Sequence, residues 1–219
     1  GSDAPLREAL QENQHSTAFL AAAGEFYESQ GYTASLERAL ECYDRALGET
    51  PDASHLVQKK AVVLRNLKRY EASVQTVRDW LGRDTGANPL ATASCSSVLA
   101  KTYLAMGRTR EALSLAREAA STGQAGAMEV YATALERTGK TAEARDILLS
   151  AARRYPSIDH VLAAAAGFFW RRGEPEKAIF FVGQGRKVMG EDSNWYFKEF
   201  VAAARKMPAN TAQKTVRTL

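Results

Sequence analysis

One glycine-to-alanine spacing recurs along the chain and constrains its fold more than any other feature. The segments GRTREAL, GKTAEAR and GEPEKAI begin at Gly107, Gly139 and Gly173, and an alanine follows each glycine five residues later. Looser copies, LKRYEASV and QGYTASLERAL, occur earlier in the chain. Each copy contains one small residue at a matching position, and these residues are Ala39, Ser73, Ala112, Ala144 and Ala178. Consecutive members of this series are 34, 39, 32 and 34 residues apart. A period near 34 residues is typical of arrays of helix–turn–helix units.

The residues around each glycine explain why such a unit is a pair of helices. Upstream lies a segment with a small residue and then a large one, as in Ala100 with Tyr103. The small side chain lets two helices approach closely, and the large one fills the space beside it. Glycine favours the left-handed conformation that ends a helix, and a polar turn then starts the second helix. The pattern predicts five helix pairs, with Lys68 replacing the glycine in the second and three extra residues before Ala39 in the first.

These offsets resemble the tetratricopeptide repeat family over about residues 16–192. The resemblance implies an all-α, right-handed superhelical solenoid of about five helix–turn–helix repeats plus a C-terminal capping helix. We place the repeats at residues 16–53, 54–92, 93–124, 125–158 and 159–192. Residues 1–15 are predicted to be a lead-in or the remnant of an upstream region. Residues 193–206 are predicted to cap the last repeat, because a solenoid end needs a cover, and residues 207–219 to form a disordered basic tail.

Composition limits the compartment and the class of partner only weakly. The net charge is +4, but residues 1–50 carry 3 basic and 9 acidic groups while residues 51–110 carry 10 and 4. This distribution predicts a polarised surface, although ordinary solvated helix faces explain the same counts. No stretch approaches the roughly 20 apolar residues that a membrane span needs. Gly1-Ser2 is typical of residues left by an expression tag, so a leader or an upstream domain is compatible with the sequence.

The cysteines and histidines form no recognisable metal or catalytic pattern. Cys42 and Cys95 lie 53 residues apart, which does not match zinc-ligand spacing, and we expect both to be buried free thiols. Free thiols favour a reducing compartment, hence a cytoplasmic location, with a periplasmic one still open if a leader was removed. The GKT triplet at Gly139 lacks the upstream glycine of a phosphate-binding loop, since Ala134 stands there. We therefore expect a non-enzymatic protein without a cofactor or metal.

The resemblance also implies where a partner binds, because the first helices of tetratricopeptide arrays line a concave groove. Carrying the groove-facing offsets over gives the set Glu25, Glu28, His55, Gln58, Arg65, Asn66, Ser97, Lys101, Glu129, Arg137, Trp170 and Arg171. Arg65 and Lys101 make the middle of this groove basic, which favours a protein or peptide partner with an acidic segment. Trp170 is a candidate aromatic anchor. The alternative is that these residues are solvated helix positions and that Trp170 packs on the capping helix.

Three kinds of interaction remain open at this stage. The first is a protein–protein interaction scaffold within a larger assembly or a larger protein, and it is our leading prediction. The heat-shock chaperone clamp of some family members is disfavoured, because Ala21, Glu25 and Lys59 occupy the matching positions. The second is nucleic-acid binding through basic pairs such as Arg153-Arg154, but 29 basic against 25 acidic residues give no dominant basic face. The third is homo-oligomerisation through exposed repeat ends, as in envelope or polysaccharide-export scaffolds.

Overall fold

A computed structural model describes residues 4–83 and 88–189, and all regular structure within these ranges is helical. The described helices are α1 (Ala4–Glu12), α2 (Thr17–Gln30), α3 (Thr33–Glu49), α4 (Ser54–Asn66), α5 (Tyr70–Arg83), α6 (Pro89–Ala105), α7 (Thr109–Ala120), α8 (Ala125–Arg137), α9 (Thr141–Arg154), α10 (Asp159–Arg171) and α11 (Pro175–Met189). They divide between two compact units, Gly1–Thr122 (unit 1) and Gly123–Leu219 (unit 2). The expected all-α fold of paired helices is confirmed, while the predicted capping helix and basic tail lie outside the described residues.

A residue in the left-handed conformation forms the turn between the two helices of each pair. Gly31, Gly107, Gly139 and Gly173 have φ between 69° and 79°. Lys68 occupies the equivalent place with a φ of 60°. Because left-handed backbone costs an L-residue about 1–2 kcal/mol, the second pair keeps the turn geometry at a cost in stability.

The small residues that define the period are all in the core. Ala39, Ser73, Ala112, Ala144 and Ala178 each have 0% of their surface exposed. The contact is closest where α2 crosses α3, since a Cβ atom added at Gly24 would lie 2.5 Å from Cε1 of Tyr43. This crossing therefore has no room for a side chain at residue 24, as the small-residue pattern predicted.

In unit 1, α2 packs on α3, α4 on α5 and α6 on α7, and α4 also contacts α6. The Ser73 hydroxyl of α5 donates to the Ala61 carbonyl at 2.8 Å and lies 3.1 Å from the Thr102 hydroxyl of α6. A serine in place of the usual alanine is thus fully hydrogen-bonded in the core. Helix α1 is attached by Arg45, whose Nη2 donates to the Leu10 carbonyl at 3.1 Å.

The three extra residues before Ala39 lengthen a helix and leave the turn unchanged. Helix α3 has 17 residues, whereas its counterpart α9 has 14. Both α3 and α7 begin two residues after the turn glycine, at Thr33 and Thr109. The insertion therefore lies inside α3, where Ser35 is buried and donates its hydroxyl to the Tyr32 carbonyl at 2.8 Å.

In unit 2, α8 packs on α9, and α10 packs on both α9 and α11. Phe168 and Phe169 are completely buried, and the ring of Phe169 stacks on Phe181 with centroids 5.7 Å apart. Tyr155, just after α9, donates its hydroxyl to the Gly123 carbonyl before α8. Helices α8, α9 and α10 therefore pack against one another, since α8 and α10 also contact each other directly.

Candidate partner-binding surfaces

The first helices of the pairs in unit 1, α2, α4 and α6, present a surface on which opposite charges are partly paired. The Nζ atom of Lys59 lies 3.3 Å from a carboxylate oxygen of Glu25 and 3.8 Å from Oε2 of Glu28. Tyr43 donates its hydroxyl to the same Oε2 of Glu28 at 2.9 Å. Burial, together with the Glu28 charge, raises the pKa of Tyr43, which stays a neutral donor. The acidic end of the groove, predicted at Glu25 and Glu28, is therefore paired with the positive charge of Lys59.

Arg65 on α4 has one guanidinium nitrogen without a hydrogen-bond acceptor. Its Nη1 atom is buried and has no hydrogen-bond partner, while the residue as a whole is half-buried. Burial lowers the pKa of Arg65, and the nearby Glu28 charge opposes that effect. A desolvated guanidinium nitrogen without an acceptor is costly, so an anion on the exposed part of this side chain would stabilise it.

The remaining predicted residues of unit 1 differ in accessibility. His55 and Asn66 are exposed, and Gln58 and Lys101 are half-buried. Ser97 is only 7% exposed, and its hydroxyl donates to the Ala93 carbonyl of its own helix at 2.8 Å. Ser97 is therefore a core residue of α6 with little surface to offer a partner, because its position turns toward the packed side of the helix.

Unit 2 contains a cleft of about 550 Å³ between α8 and α10, which we call the α8–α10 cleft. Small and apolar side chains form much of its wall, and charged residues accompany them. The lining residues are Glu129, Ala132, Thr133, Glu136, Arg137, Leu148, Ala163, Ala164, Gly167 and Arg171. The structure thus brings three of the predicted residues, Glu129, Arg137 and Arg171, into one cleft. Trp170 is half-buried and is not part of this lining.

On the Arg171 side of the cleft, one carboxylate binds two arginines, of which Arg171 lines the cleft. Arg171 donates from Nε and Nη2 to Glu136 at 3.2 and 2.7 Å, and Arg172 donates from Nη2 at 3.3 Å. Burial opposes ionisation of Glu136, but the hydrogen bonds and charges of Arg171 and Arg172 outweigh it and hold the pKa of that carboxyl below its usual range. Because the Arg171 side chain is still 58% exposed, it can also meet a ligand.

Two further residues, Lys59 and Glu136, therefore shape these surfaces. Lys59 lies 34 residues from Glu25, and Arg171 lies 35 residues from Glu136, so each pair joins the first helices of two consecutive repeats. The sequence signal for both ion pairs is a pair of opposite charges about one repeat apart. In the described part of the chain, no cluster of three or more His, Cys, Asp or Glu side chains is arranged to hold a metal ion. Likewise, none of the described helices combines the length and apolarity needed to cross a bilayer.

Comparison with known proteins gives one family and several similar folds. The family model for the tetratricopeptide repeat matches residues 4–157. No curated protein sequence matches the chain. The solved structure of TTC0263, a thermophilic tetratricopeptide protein of Thermus thermophilus, is 15% identical with a TM-score of 0.68, and the match covers 86% of this chain and 98% of that one.

Two further solved structures have a similar fold. PilW, a type IV pilus biogenesis factor, is 14% identical with a TM-score of 0.63, covering 90% of this chain and 88% of that one. PilF of Pseudomonas aeruginosa is 18% identical with a TM-score of 0.58, covering 92% and 88%. At these identities, the comparisons establish a shared fold.

Proposed function

Because the chain belongs to the tetratricopeptide repeat family, we propose that it is a non-catalytic scaffold that binds a partner protein along the first helices of its repeats. Proteins of this family generally act as protein–protein interaction scaffolds. In unit 1 the proposed partner segment is acidic and lies over α4 and α6, where Arg65 and Lys101 supply positive charge. Charge-assisted hydrogen bonds from arginine to carboxylates are among the stronger contacts available to such a surface.

The observation that supports this proposal most directly is the burial and hydrogen bonding of the Arg65 guanidinium group. One of its guanidinium nitrogens is buried without an acceptor, although the side chain remains partly exposed. A partner carboxylate on the exposed edge would balance a charge that the protein leaves poorly compensated. Lys59 supports the same polarity, since it neutralises Glu25 and Glu28 and so weakens their repulsion of an acidic partner.

The test compares three forms of the protein as bait in affinity capture from a lysate of the source organism, with mass spectrometry of the bound proteins. They are the wild type, the double variant Arg65→Glu with Lys101→Glu, and a matched control, Arg110→Glu with Arg117→Glu. The control makes the same charge change on exposed positions of α7. Circular dichroism establishes that all three are folded.

The proposal expects a protein that the wild type and the control retain and the groove variant loses. Retention of the same proteins by all three forms would place binding elsewhere and contradict the proposed surface. The nucleic-acid alternative has less support, because Arg171 and Arg172, one of its basic pairs, are both engaged by Glu136.

A further inference from the structure

Helix α2 leaves two phenylalanines accessible at positions that are buried in the other first helices. Phe19 lies five residues before Gly24, and Phe26 lies two residues after it. Phe19 is half-buried and Phe26 is 51% exposed. At the same offsets from Ala61, Ala100, Ala132 and Ala166, every residue is buried, and these residues are Leu56, Cys95, Ala127 and Val161 for Phe19, and Val63, Thr102, Ala134 and Phe168 for Phe26.

The length of the preceding helix explains why Phe26 is open. In the second pair, Leu56 and Val63 share one hydrophobic cluster with Leu40 of α3, which contacts α4 and has 17 residues. The helix that precedes α2 is α1, which has only 9 residues. Phe26 lies nine residues after the start of α2, about 14 Å along the axis, which is as far as a helix of nine residues reaches. Helix α1 therefore covers part of Phe19 and leaves Phe26 exposed.

Tyr32 adds a second exposed aromatic ring to the same face, since it is 56% exposed. It is the residue that follows the turn glycine, and Arg69 and Glu174 are its counterparts in the second and fifth pairs. Arg69 and Glu174 each form an ion pair at 2.6 Å with the second helix of the preceding pair. The position thus faces a preceding helix, and in the first pair an aromatic ring stands there instead of a charge.

Two small residues accompany Phe26 and make this surface complementary to itself. Ala18 and Ala22 are exposed, and residues four apart lie on one side of a helix, so they form a stripe with Phe26. We call this stripe, together with Phe19 and Tyr32, the α2 face. When two such stripes meet antiparallel about a two-fold axis at Ala22, the Phe26 ring of each copy lies over Ala18 of the other. The alanines let the helices approach closely, and the rings fill the remaining space.

The charges beside the stripe are compatible with contact between two copies. Glu25 and Glu28 lie next to it, and the Nζ atom of Lys59 is 3.3 and 3.8 Å from their carboxylates. The stripe itself contains only alanine and phenylalanine. Repulsion between the two copies is therefore reduced by a cation that each copy supplies.

A head-to-tail arrangement lacks a complementary surface on the last described pair. Ile179, Phe181 and Val182 of α11 are already buried. Phe180 is 47% exposed, but its counterparts in the other second helices are exposed as well, and these are Glu41, Gln75, Ser114 and Asp146. Phe180 therefore lies on the solvent side of its helix. An interface between two identical surfaces closes as a dimer, which is the arrangement that the α2 face favours.

We propose that two copies of this chain form a homodimer through their α2 faces, antiparallel about a two-fold axis at Ala22. Phe26 and Tyr32 are about half exposed, so each ring offers roughly 100 Å² to the contact. Such an interface is smaller than the roughly 1,200 Å² of stable complexes, so the dimer exchanges with the monomer. This inference goes beyond the proposed acidic partner, which lies over α4 and α6.

The first test is analytical ultracentrifugation of the 219-residue chain from about 5 to 500 µM. The weight-average mass should rise with concentration from 23.9 kDa toward twice that value. Phe26→Glu places a charge at the centre of the contact and should weaken association at least tenfold. Phe180→Glu is the matched control, because it makes the same change at an aromatic ring of similar exposure, and it should associate like the wild type. Circular dichroism establishes that both variants are folded.

The second test locates the two-fold axis. A residue on the axis lies beside its own copy, and a disulfide needs Cα atoms about 4.4–6.8 Å apart. Ala22→Cys should therefore link two chains under mild oxidation. Ser29→Cys, also at an exposed position of α2, is the control and should stay unlinked, because the two Ser29 residues would be about 21 Å apart along the helices. Cys42 and Cys95 are buried and do not compete.

A chain that stays monomeric over the whole concentration range would overturn this inference and leave the α2 face to a different protein. Undiminished association of Phe26→Glu, or an equal loss in Phe180→Glu, would also contradict it. So would a dimer in which Ala22→Cys does not crosslink. The affinity capture depends on Arg65 and Lys101, which lie outside the α2 face, so either proposal can fail while the other holds.

Discussion

Replacing Lys68 by glycine should stabilise unit 1, because Lys68 holds the left-handed backbone that glycine adopts in the other pairs. Its φ is 60°, and it is exposed. Its amide donates to the Arg65 carbonyl at 2.9 Å, and the next amide, of Arg69, donates to the Leu64 carbonyl at 2.8 Å. Glycine keeps both hydrogen bonds, so the substitution changes only the conformational cost.

The turn at Gly107 shows that the backbone is the same in both places. The Gly107 amide donates to the Leu104 carbonyl at 3.2 Å, and the Arg108 amide donates to the Tyr103 carbonyl at 2.8 Å. An L-residue in the left-handed conformation costs about 1–2 kcal/mol, and glycine avoids that cost. Glycine in turn costs about 0.5–1 kcal/mol, because its backbone has greater freedom to lose from the unfolded chain. The expected gain in the free energy of unfolding is therefore about 0.5–1 kcal/mol.

The assay is urea unfolding followed by circular dichroism, with Gly107→Lys as the reverse substitution. Lys68→Gly should raise the midpoint without changing the slope, and a gain of 1 kcal/mol corresponds to a rise in Tm of about 2–4 °C for a protein of this size. Gly107→Lys should lower stability by at least the same amount. If Gly107→Lys destabilises the protein while Lys68→Gly has no effect or destabilises it, the reasoning about strain at residue 68 is wrong.

Three other substitutions test the packing and the ion pairs. Gly24→Ala places a Cβ atom against the buried Tyr43 ring and should cost about 1–2 kcal/mol, so wild-type stability in urea would contradict the close contact of α2 and α3. Ala112→Leu should cost about 1–3 kcal/mol for the same steric reason, and an unchanged melting temperature would argue against the repeat register. Because the folded-state pKa of Glu136 lies below the usual 4.5, its stabilisation is present above that value and lost as pH falls through the folded pKa. Glu136→Gln should therefore be less stable than the wild type at pH 7 and approach it in acid, and a gap in urea midpoint that is as large at pH 3 as at pH 7 would refute this assignment.

The sequence predicted the fold because the fold depends on requirements that repeat locally. An alanine such as Ala144 recurs where two helices cross, since any larger side chain would separate them. A glycine such as Gly139 recurs where the backbone must be left-handed. Lys68 shows the limit of this logic, because the surrounding hydrogen bonds enforce the turn even where the residue type does not favour it.

The binding surfaces were predicted less completely because they depend on contacts between repeats. The offsets placed Ser97 on the groove, but its side chain is only 7% exposed. They included Arg171, which lines the α8–α10 cleft, but did not indicate that Glu136 binds it, since that pairing depends on where α10 crosses α8. Side-chain direction at a helix crossing is a three-dimensional property that a linear spacing does not specify.

The two thiols give this chain a chemical reporter of partial unfolding without any engineering. Cys42 and Cys95 form no disulfide, both are buried and both lie in unit 1, and the whole sequence holds no other cysteine. Cys42 is only 3% exposed, and burial raises its pKa, so we expect a thiol reagent to react with it when α3 opens. The labelling rate in dilute denaturant therefore measures the opening of unit 1 alone, and a circular dichroism signal that is lost before labelling begins would report melting in unit 2.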